Sequence, residues 1–239
     1  MLFFSFIIGV ILTFIHLFAY RLKFVNESPR SKWLSIAGGA SVSYIFIHLM
    51  PELAEGQQEI NQISFPLFNY FTHHIYLLSL IGLCLFYGLE WYIKNQKNFE
   101  DANTSKLDFW LHISSFCIYN FLIGYLLLHR EEEGILSLVF FSLAMGFHFL
   151  VNDYGLSKHH KLMYKKMGRW ILSLSILLGW GVGALSHLPK ILTYSIIAFL
   201  AGGIFLNVLK EELPEDRKSN YWAFLTGAFI FTFVLYLSK

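Results

Sequence analysis

Apolar residues in this chain neither alternate nor form one-sided stripes; they run together in blocks of about 20, each long enough to cross a hydrocarbon core as a helix. The blocks fall at 2–22, 33–54, 75–93, 109–128, 135–156, 169–188, 191–210 and 221–238 and predict eight membrane helices. The connections between them, the longest at 55–74 and 94–108, are too short to fold alone, so one membrane domain is expected over residues 1–239. The first block reads as a helix rather than a signal peptide: no basic stretch precedes it, and no small-residue cleavage site closes it before Arg21.

Composition excludes an ordinary soluble domain, with 56% hydrophobic and 14% charged residues. The few charges set an orientation. Of the 18 Lys and Arg, all but Arg130, Lys190 and Lys239 fall on the side that carries the 21–32, 94–106, 158–169 and 210–218 connections. The positive-inside rule then places both termini outside the cytoplasm, in a multi-pass protein of the plasma or inner membrane. As topology anchors these cations explain the net charge of +2 without a nucleic-acid partner. Cys84 and Cys117 lie within predicted spans and read as small apolar residues, with no disulfide framework.

Two segments repeat one another. Residues 37–52, AGGASVSYIFIHLMPE, and 201–215, AGGIFLNVLKEELPE, each open on a glycine pair that admits a neighbouring helix and close on Pro-Glu, where Pro51 and Pro214 interrupt helical hydrogen bonding. An odd number of crossings separates them, so they run in opposite directions. That is the signature of an inverted repeat, an architecture typical of transporters.

Polar groups inside a span are functional candidates because each needs a partner. The fourth span carries His112, Ser115, Tyr119 and Asn120; the fifth carries His148, Asn152 and Asp153. The short acidic link HREEEG makes these spans antiparallel neighbours, and at about 1.5 Å rise per residue His112 falls level with Asn152 and Asp153. An imidazole, an amide and a carboxylate on adjacent turns suit a divalent cation with mixed N and O ligands. Single Ser, Asn, Tyr and His residues also hold membrane helices together by ordinary hydrogen bonds. His48 and Glu52 at one mouth, and Glu211 at the other, are candidate entry and exit groups. His73, His74, His159 and His160 lie in loops and read as solvated residues, and Glu90 as a group reaching the interface.

Over its full length the chain resembles the ZIP family of divalent metal transporters, through IHLMPE at 47–52, LIGLCLFYGLEW at 80–91 and AFLAGGIFLNVLKEELPE at 198–215. The resemblance implies an all-α polytopic fold of eight helices, with inverted three-helix repeats, helices 1–3 and 6–8, around a central helix 4 and 5 pair. It also implies a metal cation, zinc among the class, as substrate, with no organic cofactor and a homodimer in the bilayer. The family's metal motifs are altered: Ser115, Tyr119 and Asn120 stand where the fourth helix carries histidine, acid and glycine. In the fifth, His148 and Gly155 match, whereas Phe149, Val151, Asn152, Asp153 and Leu156 replace Glu, Pro, His, Glu and Asp.

The expectation is therefore a divergent ZIP-like transporter, not an enzyme, with His148 and Asp153 as ligands and Asn152 as a neutral ligand. Ser115, Tyr119, Asn120 and His112 stand around them. Two alternatives remain: a non-transporting member acting as sensor or partner subunit, and a metal-dependent hydrolase assembled from His112, His148 and Asp153. The topology has a direct test. With Cys84 and Cys117 replaced, a cysteine at Lys158 or Lys218 is expected to resist a membrane-impermeant thiol reagent in intact cells and to react after permeabilisation; the reverse result overturns the orientation.

Overall fold

The computed structural model describes residues 1–21, 32–62, 73–96, 102–130, 134–212 and 220–237, and among these there is helix and no strand. Helix α1 (Leu2–Phe18) closes in a 3-10 turn over Ala19–Arg21. Helix α2 (Lys32–Tyr44) runs through a π-helical turn, Ile45–Leu49, into α3 (Met50–Asn61). Then follow α4 (His74–Gln96), α5 (Ala102–His129) and α6 (Ile135–His159). A short α7 (Lys161–Met163) and a second π turn, Tyr164–Gly168, lead into α8 (Arg169–Leu185), followed by α9 (Lys190–Glu212) and α10 (Tyr221–Leu237).

Counted as continuous rods these are eight among the described residues. Seven are long and apolar enough to span a membrane, and α10 is a shorter apolar helix of 17 residues. The side chains are distributed as a bilayer requires. Phe14, Leu85, Leu174, Leu178 and Phe233 face outward, while Thr13, Ser41, Ser43, Asn120, Asn152 and Ser173 are buried between helices. This inversion of the soluble pattern marks a multi-pass membrane protein, because lipid offers polar groups no partner.

Pro51 does not end its helix. The chain continues helically to Asn61, and the π turn immediately before the proline widens the spiral where a ring without an N–H would crowd an ordinary turn. Pro214 and Glu215, the end of the second copy, lie outside the described residues. The connection expected over 157–168 is almost wholly helical, broken only near His160.

Three helix pairs pack most extensively: α5 with α8, α2 with α10, and α4 with α9. Each crosses at a reciprocal pair of glycines. A Cβ on Gly39 would land on the carbonyl oxygen of Phe224, and one on Gly227 on that of Ile36. Gly82 and Gly202 face the carbonyls of Phe199 and Ser79; Gly124 and Gly179 face those of Ile176 and Phe121. Without side chains at the crossing the two backbones come into direct contact, which is where membrane helices gain packing energy in the absence of a hydrophobic drive between them. The expected central pair is not of this kind. Helices α5 and α6 do not pack along each other; α5 takes α8 as its main neighbour, and α6 packs on α1 and α2.

Substitution at a crossing should be costly and elsewhere harmless. Gly202→Val is expected to cost about 1–3 kcal/mol or more, as overpacking of a tight contact does, and to lower the melting temperature of the purified protein. Gly88→Val, where nothing lies within 4 Å of the added Cβ, should leave it unchanged.

Candidate functional site

Helices α1 and α6 run in the same direction: the Cβ position of Gly146 meets Leu12 and Ile15, and seven residues further along α6 Asp153 meets His16. Close approach at Gly146 thus brings the α1 imidazole onto the α6 carboxylate. His16 Nδ1 lies 3.0 Å and 2.8 Å from the two Asp153 oxygens, with both side chains at most 1% exposed. On the other side of the ring, Asn120 Nδ2 of α5 lies 3.2 Å from His16 Nε2. The Tyr164 hydroxyl donates to the His16 carbonyl at 3.3 Å and lies beside the Asp153 carboxylate. The Phe149 ring covers the imidazole, with centroids 4.4 Å apart.

This pattern of partners assigns the tautomer. A carboxylate only accepts, so His16 Nδ1–H donates to Asp153, and Nε2 is left with a lone pair that receives the Asn120 amide. An imidazole held through one nitrogen by a carboxylate, with the other nitrogen basic, is the arrangement in which histidine binds metals or shuttles protons.

The other expected site residues separate. His148 and Asn152, four apart on α6, pair with each other, Asn152 Nδ2 donating to His148 Nε2 at 2.9 Å. Asp153 is turned about 100° away from Asn152 around the helix, as neighbouring residues on an α-helix must be, and is bonded to His16. His148, Asn152 and Asp153 therefore do not close around one point, and among the described residues no group of three or more His, Cys, Asp or Glu is placed to hold a metal. Tyr119 is buried; its ring stands 5.5 Å from that of His148 and edge-on to Phe86, and its hydroxyl has no hydrogen-bond partner among the described residues. Ser115 Oγ bonds the His112 carbonyl of its own helix.

His112 is not level with Asp153. Its Nδ1 lies 3.0 Å from His160 Nε2, at the far end of α6. The depth expected from the HREEEG link assumed two helices packed side by side, whereas each follows a different neighbour. His160 is accordingly half-buried against Phe109 and His112 rather than solvated.

Of the mouth residues, His48 lies in the first π turn with its ring 5.1 Å from Tyr44. Glu52 and Arg130 line a narrow cleft together with apolar residues that include Leu49, Met145 and Ile204, and with Tyr44. The cleft holds about 20 Å³, room for about one water. The side chain of Glu211 lies outside the described residues.

Two buried groups escape a reading confined to the fourth and fifth spans. His16 was visible as a lone imidazole in the most apolar block of the chain. Asp108, 5% exposed and with Oδ1 unbonded among the described residues, was hidden at a span's edge, where carboxylates are ordinarily solvated. Comparison of the chain with protein-family profiles, with curated proteins and with solved structures finds no match.

Removing one partner of a buried pair strands the other. Asp153→Asn and His16→Ala are each expected to destabilise the fold by on the order of 3 kcal/mol, read by thermal unfolding in detergent. The double variant should cost clearly less than the sum; strict additivity would show that the two side chains do not interact.

Proposed function

We propose that this chain is a ZIP-like, inverted-repeat membrane transporter with both termini outside the cytoplasm, and that it moves a divalent cation of the zinc, iron or manganese class. The observation that carries this reading is the His16–Asp153 pair: an imidazole and a carboxylate, both fully buried in membrane helices, with Asn120 on the free nitrogen. Ionisable groups are expensive at that depth and persist where function needs them. In this role His16 Nε2 and the Asn120 amide are the first ligands, Asp153 orients the imidazole, and His148 with Asn152 supplies the next nitrogen and oxygen along the path. Ligands drawn from α1, α5 and α6 converge only when the helices shift, as alternating access requires.

Helix pairing supports the inverted repeat. Exchanging the first rod with the sixth, the second with the seventh, the third with the eighth and the fourth with the fifth converts the α2–α10 pair into α9–α4, and α1–α6 into α8–α5. All four pairs pack in the structure. The exchange also relates Ile11-Leu12-Thr13 of α1 to Ile171-Leu172-Ser173 of α8. At that point the helices meet reciprocally: Ser173 Oγ donates to the Thr13 carbonyl at 3.2 Å, and Thr13 Oγ1, which donates to the Gly9 carbonyl of its own helix at 2.9 Å, lies 3.4 Å from the Ser173 carbonyl. Reciprocal contact between equivalent residues is what a two-fold axis produces. Gly39 and Gly202 are likewise 163 residues apart, the same interval as Pro51 and Pro214.

A second reading, a non-transporting sensor or partner subunit, is favoured by Phe149 packed on His16 and by Tyr119 filling the space beside His148. Uptake by proteoliposomes separates the two. Wild-type protein is expected to take up zinc, iron or manganese, with His16→Ala reducing uptake about 10–100-fold, the range for loss of a ligand's support or of the ligand itself. Ser115→His with Asn152→His should raise zinc affinity. Absence of uptake for every divalent ion tested, with or without metal binding, overturns the transporter reading in favour of the second.

A further inference from the structure

Where α1 ends and α8 begins, three cations gather on one aromatic ring. Arg169 lies 4.7 Å from the centroid of Tyr20, and Arg21 and Lys165 each lie 5.6 Å from it. Arg21 Nε also donates to the Tyr20 hydroxyl at 2.9 Å. Among the described residues no carboxylate pairs with any of the three; Asp153, beside the neighbouring Tyr164, is taken by His16. Arg169 spends Nη1 on the Leu17 carbonyl at 3.2 Å, and its buried Nε–H has no acceptor among the described residues. Three like charges around one ring repel one another, and the ring's negative face offsets only part of that. Among the described residues nothing supplies the cluster with an anion whose oxygens accept several N–H bonds.

The surroundings say what kind of anion. Phe18 lies 5.4 Å from Arg21 and Trp170 lies 5.2 Å from Arg169, and both aromatics are exposed. From them outward-facing apolar residues continue along each helix, Phe14 above Phe18 on α1, and Leu174 and Leu178 beyond Trp170 on α8. A ligand fitting this rim is anionic at one end and aliphatic at the other.

We propose that Tyr20, Arg21, Lys165 and Arg169 form a binding site for the phosphate of an anionic phospholipid, whose acyl chains lie on the exposed faces of α1 and α8. Guanidinium groups match phosphate geometry by paired N–H donors, and Lys165 adds a point charge. Trp170, exposed at the start of α8, is a side chain of the type that anchors to headgroups. The site is independent of transport. It stands one turn from His16, through the Arg169 bond to Leu17, so an occupied site would also hold the end of α1 in place.

The test uses the full-length protein in detergent, titrated with phosphatidylglycerol or phosphatidylcholine and read by retained lipid in native mass spectrometry and by thermal shift. Phosphatidylglycerol is expected to bind saturably and raise the melting temperature, and phosphatidylcholine to bind at least fivefold more weakly. Arg21→Gln with Lys165→Gln, two exposed positions that the fold does not need, should weaken phosphatidylglycerol binding at least fivefold. Lys32→Gln with Lys106→Gln, exposed cations outside the cluster, should leave it unchanged. Equal losses from both double variants would mean a diffuse charge effect and would overturn the site. So would displacement of the lipid by millimolar inorganic phosphate, which would identify a soluble phosphate as the occupant.

Discussion

A buried polar group between membrane helices has no water to fall back on, and this constraint shapes the whole bundle. His16 and Asp153 answer it together: each would be costly alone, and the pair holds only if α1 and α6 lie side by side with Gly146 at the contact. Asn120 and Tyr164 complete the bonding from α5 and from the second π turn. One interaction thus ties four stretches of the chain to a common depth. The hydroxyl bonds between Thr13 and Ser173, and between Ser43 and Thr232, do the same for α1 with α8 and α2 with α10.

Glycine supplies the other half of the architecture. Apolar side chains gain nothing by leaving lipid for one another, so the helices associate where backbones touch. The three reciprocal crossings arrange the bundle as interlocked pairs, each joining a helix of the first half of the chain to one of the second: α2 to α10, α4 to α9 and α5 to α8. A pairing so distant in sequence leaves consecutive helices such as α5 and α6 free of a shared seam, and a polar interior can open between them.

In the described state the histidines and Asp153 of the interior bond to neighbouring polar side chains, while the Tyr119 hydroxyl beside them finds no partner among the described residues. His148 with Asn152, and His16 with Asp153 and Asn120, satisfy one another. The cleft that Glu52 and Arg130 help to line is otherwise mostly apolar. For the transport reading this is an occluded arrangement in which internal hydrogen bonds take the place of ligand bonds, and motion of the helices exchanges one set for the other. For the sensor reading it is the resting core. The two share a structure and differ in whether Phe149 and Tyr119 can move aside.

Eight apolar blocks, their lengths and the membrane environment were legible along the chain, because spanning a bilayer requires about 20 apolar residues in succession and that demand is local. The candidate polar residues of the fourth and fifth spans were legible for the same reason, each conspicuous against its apolar neighbours. Which of them meet was not. Asp153 and Asn152 are adjacent in sequence and bonded to different partners; His16, 137 residues from Asp153, is its partner. His112 found His160 because α5 and α6 follow different neighbours. Depth could be counted from a link, but rotation and neighbour choice are set by where glycines let backbones touch, and that is a property of two helices at once. The turn at Ile45–Leu49 carries the same lesson: Pro51 announces a disturbance, and only the packed helix decides whether it becomes an end or a widened turn.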